Sequence, residues 1–152
     1  MLYKKILVPL DGSEFGECAL EDLKAIAKGC SVPLVELLSV VQPPRDSMVY
    51  GYPEIFREED MEKIVSQAKA YLSTIATKLQ QVGIETKIVV LKGNAAENII
   101  EYAAKNGIDL IVMSTHGRSG PARWALGSVA DRVVRYSNVP VLVVSPPGCR
   151  IG

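Results

Sequence analysis

The chain has 152 residues, 48% hydrophobic and 22% charged, with 17 basic and 17 acidic side chains that cancel. That size and composition fit one globular domain over residues 1–152 that buries about two thirds of its unfolded surface, and exclude a disordered chain. The charge balance argues against a general nucleic-acid or membrane-surface binder, and no apolar run approaches the roughly 18 residues that span a bilayer.

Short β-branched runs alternate with longer helical patterns. Residues 4–10, KKILVPL, read as a first strand, almost wholly apolar as a sheet-centre strand is. Ser13 can cap a helix whose apolar stripe is Ala19, Leu20, Leu23, Ile26 and Ala27. Residues 34–40 form the second strand. The segment VQPPRDSMVYGYPEIF is rich in Pro, Gly and Tyr and has neither period, so a loop is expected over 42–56, of the length that lids and contact surfaces have. A long helix follows from about Arg57 to Val82 and stops at Gly83. Residues 85–91 are the third strand, and Asn94 with Glu97 starts the helix that stops at Gly107. Residues 108–113 are the fourth strand. Ser128 and Asp131 open the last helix, through about Ser137, in an S-x-x-D pattern with Ser128 as its cap, and VPVLVVS is the fifth strand.

The order β-α-β-α-β-α-β-α-β predicts an α/β, doubly wound parallel sheet with helices on both faces, joined by right-handed crossovers. Ligands of such sheets sit at the carboxyl ends of the strands, where the strand order reverses. Two strand ends carry unusual polar residues: Pro9-Leu10-Asp11-Gly12-Ser13 and Ser114-Thr115-His116-Gly117. They flank one crevice if strands one and four are neighbours, which alternation alone does not decide.

The richest stretch is MSTHGRSGPARWALGSVADRV, from Met113 to Val133. Its glycines Gly117 and Gly127 lie between a strand and a helix, and Ser128 follows the second at once. Glycine admits a phosphate close to backbone N–H groups, and a helix start supplies unpaired donors with a positive dipole end. The stretch therefore reads as a phosphate cradle, although no Walker-type Gly-Lys-Ser or Gly-Lys-Thr triplet occurs. Asp11 at the other strand end suits ribose hydroxyls as well as a turn.

Residues 3–12, YKKILVPLDG, together with STHG-x9-GSVADRVVRYSNVPVLVV, resemble the universal stress protein family over essentially the whole chain. The resemblance implies a five-stranded parallel sheet in the order 3-2-1-4-5 and homodimers paired through the fifth strand. The family's ATP-binding members carry G-x2-G-x9-G-[ST], which this chain matches at Gly117, Gly127 and Ser128, with Ser114 in place of the first glycine. Carried over, the resemblance implies that Pro9 and Leu10 wall a nucleotide pocket and that Asp11 accepts from the ribose. Val40 reads the adenine edge, and Met113 contacts base or ribose. His116, Gly117, Gly127 and Ser128 face the phosphates, with backbone donors at Gly117, Ser128, Val129 and Ala130.

The function expected is an ATP-binding, nucleotide-responsive stress or signalling module of the cytoplasm, with Mg²⁺ bridging the phosphates on few or no protein ligands. No nucleic-acid or membrane partner is expected. A weak ATPase or phosphotransferase is the second reading; the chain offers no Walker lysine and no recognisable water-activating carboxylate, so at most slow hydrolysis follows. A nucleotide-free homodimeric interaction protein is the third, and Ser114 favours it. His116, the only histidine, has no evident partner for base catalysis. Cys18, Cys30 and Cys149 form no CxxC pair, which argues against a Cys/His metal site, and the N-terminal apolar stretch breaks at Pro9, unlike a signal segment. The fifth strand, Val139–Val144, is apolar and uncharged, an edge suited to pairing with its two-fold mate.

Overall fold

A computed structural model describes residues 2–42, 58–115 and 126–145. Within them five strands form one parallel sheet in the order β3-β2-β1-β4-β5. The strands are β1 (Lys5–Pro9), β2 (Leu34–Val41), β3 (Thr86–Lys92), β4 (Leu110–Ser114) and β5 (Val141–Val144). The helices are α1 (Glu14–Glu17), α2 (Leu20–Gly29), α3 (Glu58–Gln81), α4 (Ala95–Lys105) and α5 (Ser128–Tyr136). The loop expected over 42–56 lies, beyond Gln42, outside the described residues.

Alternation along the strands builds two cores. Ile6, Val8, Val35, Leu37, Leu110 and Val112 point to one face, where Leu23 of α2 and Leu72, Ile75 and Leu79 of α3 cover them. Leu7, Leu38, Ile111 and Met113 point to the other, under Ile99 and Ala103 of α4 and Ala130 and Val133 of α5. Glu36 belongs to this second face and is only 1% exposed. Its carboxylate accepts from the Tyr102 hydroxyl and lies 3.5 Å from Lys5 Nζ and 4.0 Å from Lys87 Nζ, so the buried charge is both paired and hydrogen-bonded.

Three expectations need correction. The first helix is not continuous: α1 ends at Glu17 and α2 begins at Leu20. At the break the Cys18 Sγ turns toward Ser114 Oγ at 3.4 Å and the Val144 carbonyl at 3.9 Å, contacts with the ends of β4 and β5 that periodicity does not reveal. The fifth strand starts at Val141 rather than Val139, because Pro140 has no amide hydrogen for the ladder. The fourth begins at Leu110, two residues later than expected.

The ladder between β1 and β4 is short. Its register holds Ile6 with Leu110 and Leu7 with Ile111, whereas β1 and β2 stay paired from Lys5–Leu34 to Pro9–Leu38. A strand residue directs its N–H and C=O to the same neighbour. Leu10 donates to the Leu38 carbonyl of β2 at 2.8 Å, and the Lys5 carbonyl accepts from Asp109, just before β4, at 2.9 Å. Pro9 is in phase with Lys5 and faces β4 without a donor, so the pairing stops short of it. The two central strands therefore part at their carboxyl ends.

Candidate functional site

A cleft occupies that divergence. It holds about 690 Å³ of empty space, the open solvent at its mouth included. Pro9, Leu10 and Asp11 line it from β1, and Val40 from β2. Met113 and Ser114 line it from β4, and Gly127, Ser128, Val129 and Ala130 from the start of α5. These are the residues expected at a nucleotide pocket. His116 and Gly117 lie outside the described residues.

The Asp11 turn is held from within. Gly12 takes φ +86°, a conformation open to glycine, and brings Ser13 back toward Asp11. Asp11 Oδ1 accepts from the Ser13 amide at 2.9 Å and from the Ser13 hydroxyl at 2.6 Å. The same hydroxyl accepts from the Gly16 amide at 3.1 Å, so Ser13 caps α1 as the sequence suggests. Tyr71 of α3 stands close by. Its hydroxyl is buried without a hydrogen bond of ordinary geometry, and burial, then the charges of Glu17 and Asp11, hold its phenol well above the usual tyrosine range.

On the opposite wall, the Gly127 amide donates to the Thr115 carbonyl at 2.7 Å, and the first intrahelical bond of α5 runs from Asp131 N–H to the Gly127 carbonyl at 2.9 Å. The amides of Ser128, Val129 and Ala130 precede that bond and have no acceptor within the helix. Ser128 is not the cap. Gly127 occupies that position, no side chain caps the helix, and Asp131 instead accepts from Arg135 Nε at 3.0 and 3.1 Å. An i,i+4 ion pair has taken the acidic residue that the S-x-x-D pattern assigned to the helix start.

Ser114 is buried, its hydroxyl lies 3.4 Å from Cys18 Sγ, and the residue is in phase with Val112 on the sheet face opposite the one that α5 covers. Thr115 lines the cleft with the strand-four end expected to flank it, and Gly16, Leu38, Ala95 and Ile99 also line it and were not anticipated. Leu38 follows from its i,i+2 relation to Val40 on one strand face, and Ala95 and Ile99 from the i,i+4 spacing of α4. Gly16 carries no comparable sequence signal. Most of the cleft lining is apolar, and its polar side chains are Asp11, Ser114, Thr115 and Ser128. Among the described residues, no group of three or more His, Cys, Asp or Glu side chains is placed to hold a metal, and no helix is long and apolar enough to cross a membrane.

Comparison with known proteins gives the same outline. The model of the universal stress protein family matches residues 2–145. The chain is 36% identical over 156 residues to universal stress protein MJ0577 of Methanocaldococcus jannaschii, covering 95% of this chain and 96% of that one. It is 34% identical over 151 residues to MJ0531 of the same organism, covering 96% and 84%. The solved structure of MJ0577 matches with a TM-score of 0.81 at 35% identity, over 96% of this chain and 98% of that one. A universal stress protein from Archaeoglobus fulgidus in complex with dAMP shares the fold at TM-score 0.65 and 23% identity, over 94% and 98% of the two chains.

Proposed function

From membership of the universal stress protein family, to which this chain belongs, we propose that it is an ATP-binding module that signals its nucleotide state rather than turning the nucleotide over. One observation carries the reading: a single cleft has three amides without intrahelical acceptors on one wall and a fixed carboxylate on the other. The amides of Ser128, Val129 and Ala130, at the positive end of the α5 dipole, suit phosphate oxygens. Asp11 suits the ribose hydroxyls as an acceptor, and the apolar floor at Val40, Ile99 and Met113 suits the flat base.

Ser128 supports the same reading, since its hydroxyl is not spent on capping. Mg²⁺ would be held by the phosphates themselves. The uncommitted donors account for binding, whereas turnover also needs a positioned water and a stabiliser of transition-state charge. The protein acts in the cytoplasm in this reading, where ATP is available at millimolar level, and pairs as a homodimer along residues 139–144. In support, β5 is the outer strand of the sheet, and its Leu142 is 37% exposed.

Mass spectrometry on the supernatant of freshly purified, denatured protein tests the ligand class. Copurified ATP or another adenine nucleotide is the expected result. A protein that carries none, and that shows no heat of binding with ATP by titration calorimetry, is not a nucleotide module.

A further inference from the structure

We propose that Gly16 is the positioning residue for ribose recognition: the hydrogen atom it has in place of a side chain is what lets the Asp11 carboxylate lie where it does. The inference rests on the reading above that Asp11 accepts from ribose hydroxyls, and adds the device that holds it ready.

Gly16 is buried, lies within α1 and lines the cleft. Its backbone is helical, so no left-handed conformation demands a glycine, and glycine is disfavoured against alanine inside a helix. Space supplies the reason. A Cβ at position 16 would lie 3.0 Å from Asp11 Oδ1, 3.6 Å from Ser13 Oγ and 3.8 Å from the Asp11 amide nitrogen. The first distance is tighter than nearly all packed Cβ contacts, so Asp11 Oδ1 or the helix must give by a few tenths of an ångström, whereas the other two are ordinary van der Waals contacts.

The neighbours cannot yield equally. Ser13 Oγ is held on two sides, by its bond to Asp11 Oδ1 and by the Gly16 amide. The Asp11 backbone leads directly out of the sheet. The group pressed hardest is the Asp11 carboxylate, whose Oδ1 is held by the Ser13 amide and hydroxyl; a Cβ would push it by a few tenths of an ångström away from α1, at the expense of those two bonds. Hydrogen bonds weaken steeply with distance and angle, so a displacement of that size changes what Asp11 offers a sugar while leaving the rest of the cleft alone. Gly16 thus acts on specificity through Asp11.

The test compares ATP with 2′,3′-dideoxy-ATP, which lacks both ribose hydroxyls, by titration calorimetry on the full chain. The unsubstituted protein should prefer ATP by about tenfold or more, because a site built for hydroxyls is left unpaired by the deoxy analogue. Gly16→Ala should reduce that preference by about fivefold with dideoxy-ATP affinity unchanged, and its melting temperature should hold or rise. In an Asp11→Ala background, Gly16→Ala should have no further effect on the ratio. Should Gly16→Ala fail to fold, Ser13→Ala removes a donor from Asp11 Oδ1 without adding bulk and should lower the ratio in the same way. A ratio unchanged in Gly16→Ala, an equal loss of both ligands, or the same loss without Asp11 would overturn the proposal. An unsubstituted protein without ribose preference, or an Asp11→Ala variant that keeps it, overturns the reading of Asp11 itself, a separate and recognisable result.

Discussion

The Gly127 amide donates to the Thr115 carbonyl at 2.7 Å, which ties the start of α5 to the end of β4 by a direct backbone bond. The bond commits the Gly127 donor and turns the next three amides out of the ladder, so the strand end and the helix start form one wall of the cleft. Gly127 is the helix cap without a side chain, and this gives its substitution an unusual expected signature.

Replacing Gly127 by Asp would place a carboxylate at the cap, where it can accept from the amides of Val129 or Ala130. The helix gains a cap as the phosphate loses its donors and meets a like charge. ATP affinity should fall by at least about thirtyfold, ~2 kcal/mol, with melting temperature unchanged or raised. Calorimetry and thermal melting together check this; unchanged affinity would remove α5 from the binding site.

Ser114→Gly restores the family pattern. The Ser114 hydroxyl lies beside Cys18, on the sheet face opposite the one that α5 covers, so its loss should change ATP affinity by less than about threefold. Stability should fall by about 0.5–1 kcal/mol, the cost of a glycine within a strand. A large gain in affinity would show instead that the hydroxyl blocks the pocket.

Hydrolysis should be slow, below about 1 s⁻¹, because among the described residues the cleft supplies binding donors and no evident nucleophile activator. Phosphate release from pure protein measures it. Robust turnover lost in His116→Ala would make the protein an enzyme.

Dimerisation is best tested at Leu142. Val141 packs against the second core, so a lysine there would damage the monomer, whereas Leu142 is 37% exposed on the outer strand. Leu142→Lys should shift the protein toward monomer with its melting temperature nearly unchanged, since only an interface would bury that charge. Sedimentation at micromolar concentration decides; an unsubstituted protein that is already monomeric rules the interface out.

Alkaline pH should destabilise the fold. Burial, then the Glu36 carboxylate, holds Tyr102 well above the usual tyrosine range, and Tyr71 is raised as well. Above about pH 10 the unfolded chain gives up tyrosine protons that the folded chain keeps, so stability present below that pH is lost as pH rises. Tyr102→Phe should cost about 1–3 kcal/mol at neutral pH, because Glu36 loses a donor, and should flatten the alkaline decline. Urea unfolding between about pH 8 and pH 11 reads both effects; parallel curves would exclude Tyr102 as a cause.

Period and capping residues made most of the fold legible. Asn94 Oδ1 accepts from the Glu97 amide at 3.0 Å, and Ser13 caps α1, as their local patterns imply. The neighbouring strands one and four were not legible from alternation and came from the family resemblance. What escaped were interactions between distant segments or competing ones. The first helix is interrupted at Cys18, whose Sγ meets Ser114, 96 residues away in sequence. Asp131 fits a cap pattern but is drawn to Arg135. Gly16 looks like any helix glycine until Asp11 is seen to lie against it.

The short ladder between β1 and β4 has a consequence for assembly. Residues up to Lys92 complete the β3-β2-β1 half of the sheet, and β4 and β5 arrive later in the chain. The halves meet at the seam with the shorter register, and the cleft lies along it, with Asp11 on the early half and α5 on the late one. A nucleotide bound there would work as a clasp between the halves, adding about 2.7 kcal/mol at a hundred times its Kd. Loss of nucleotide would then be felt first as loosening of β4, β5 and α5 from the rest, a change that hydrogen exchange in those elements would record before the β1–β3 amides respond.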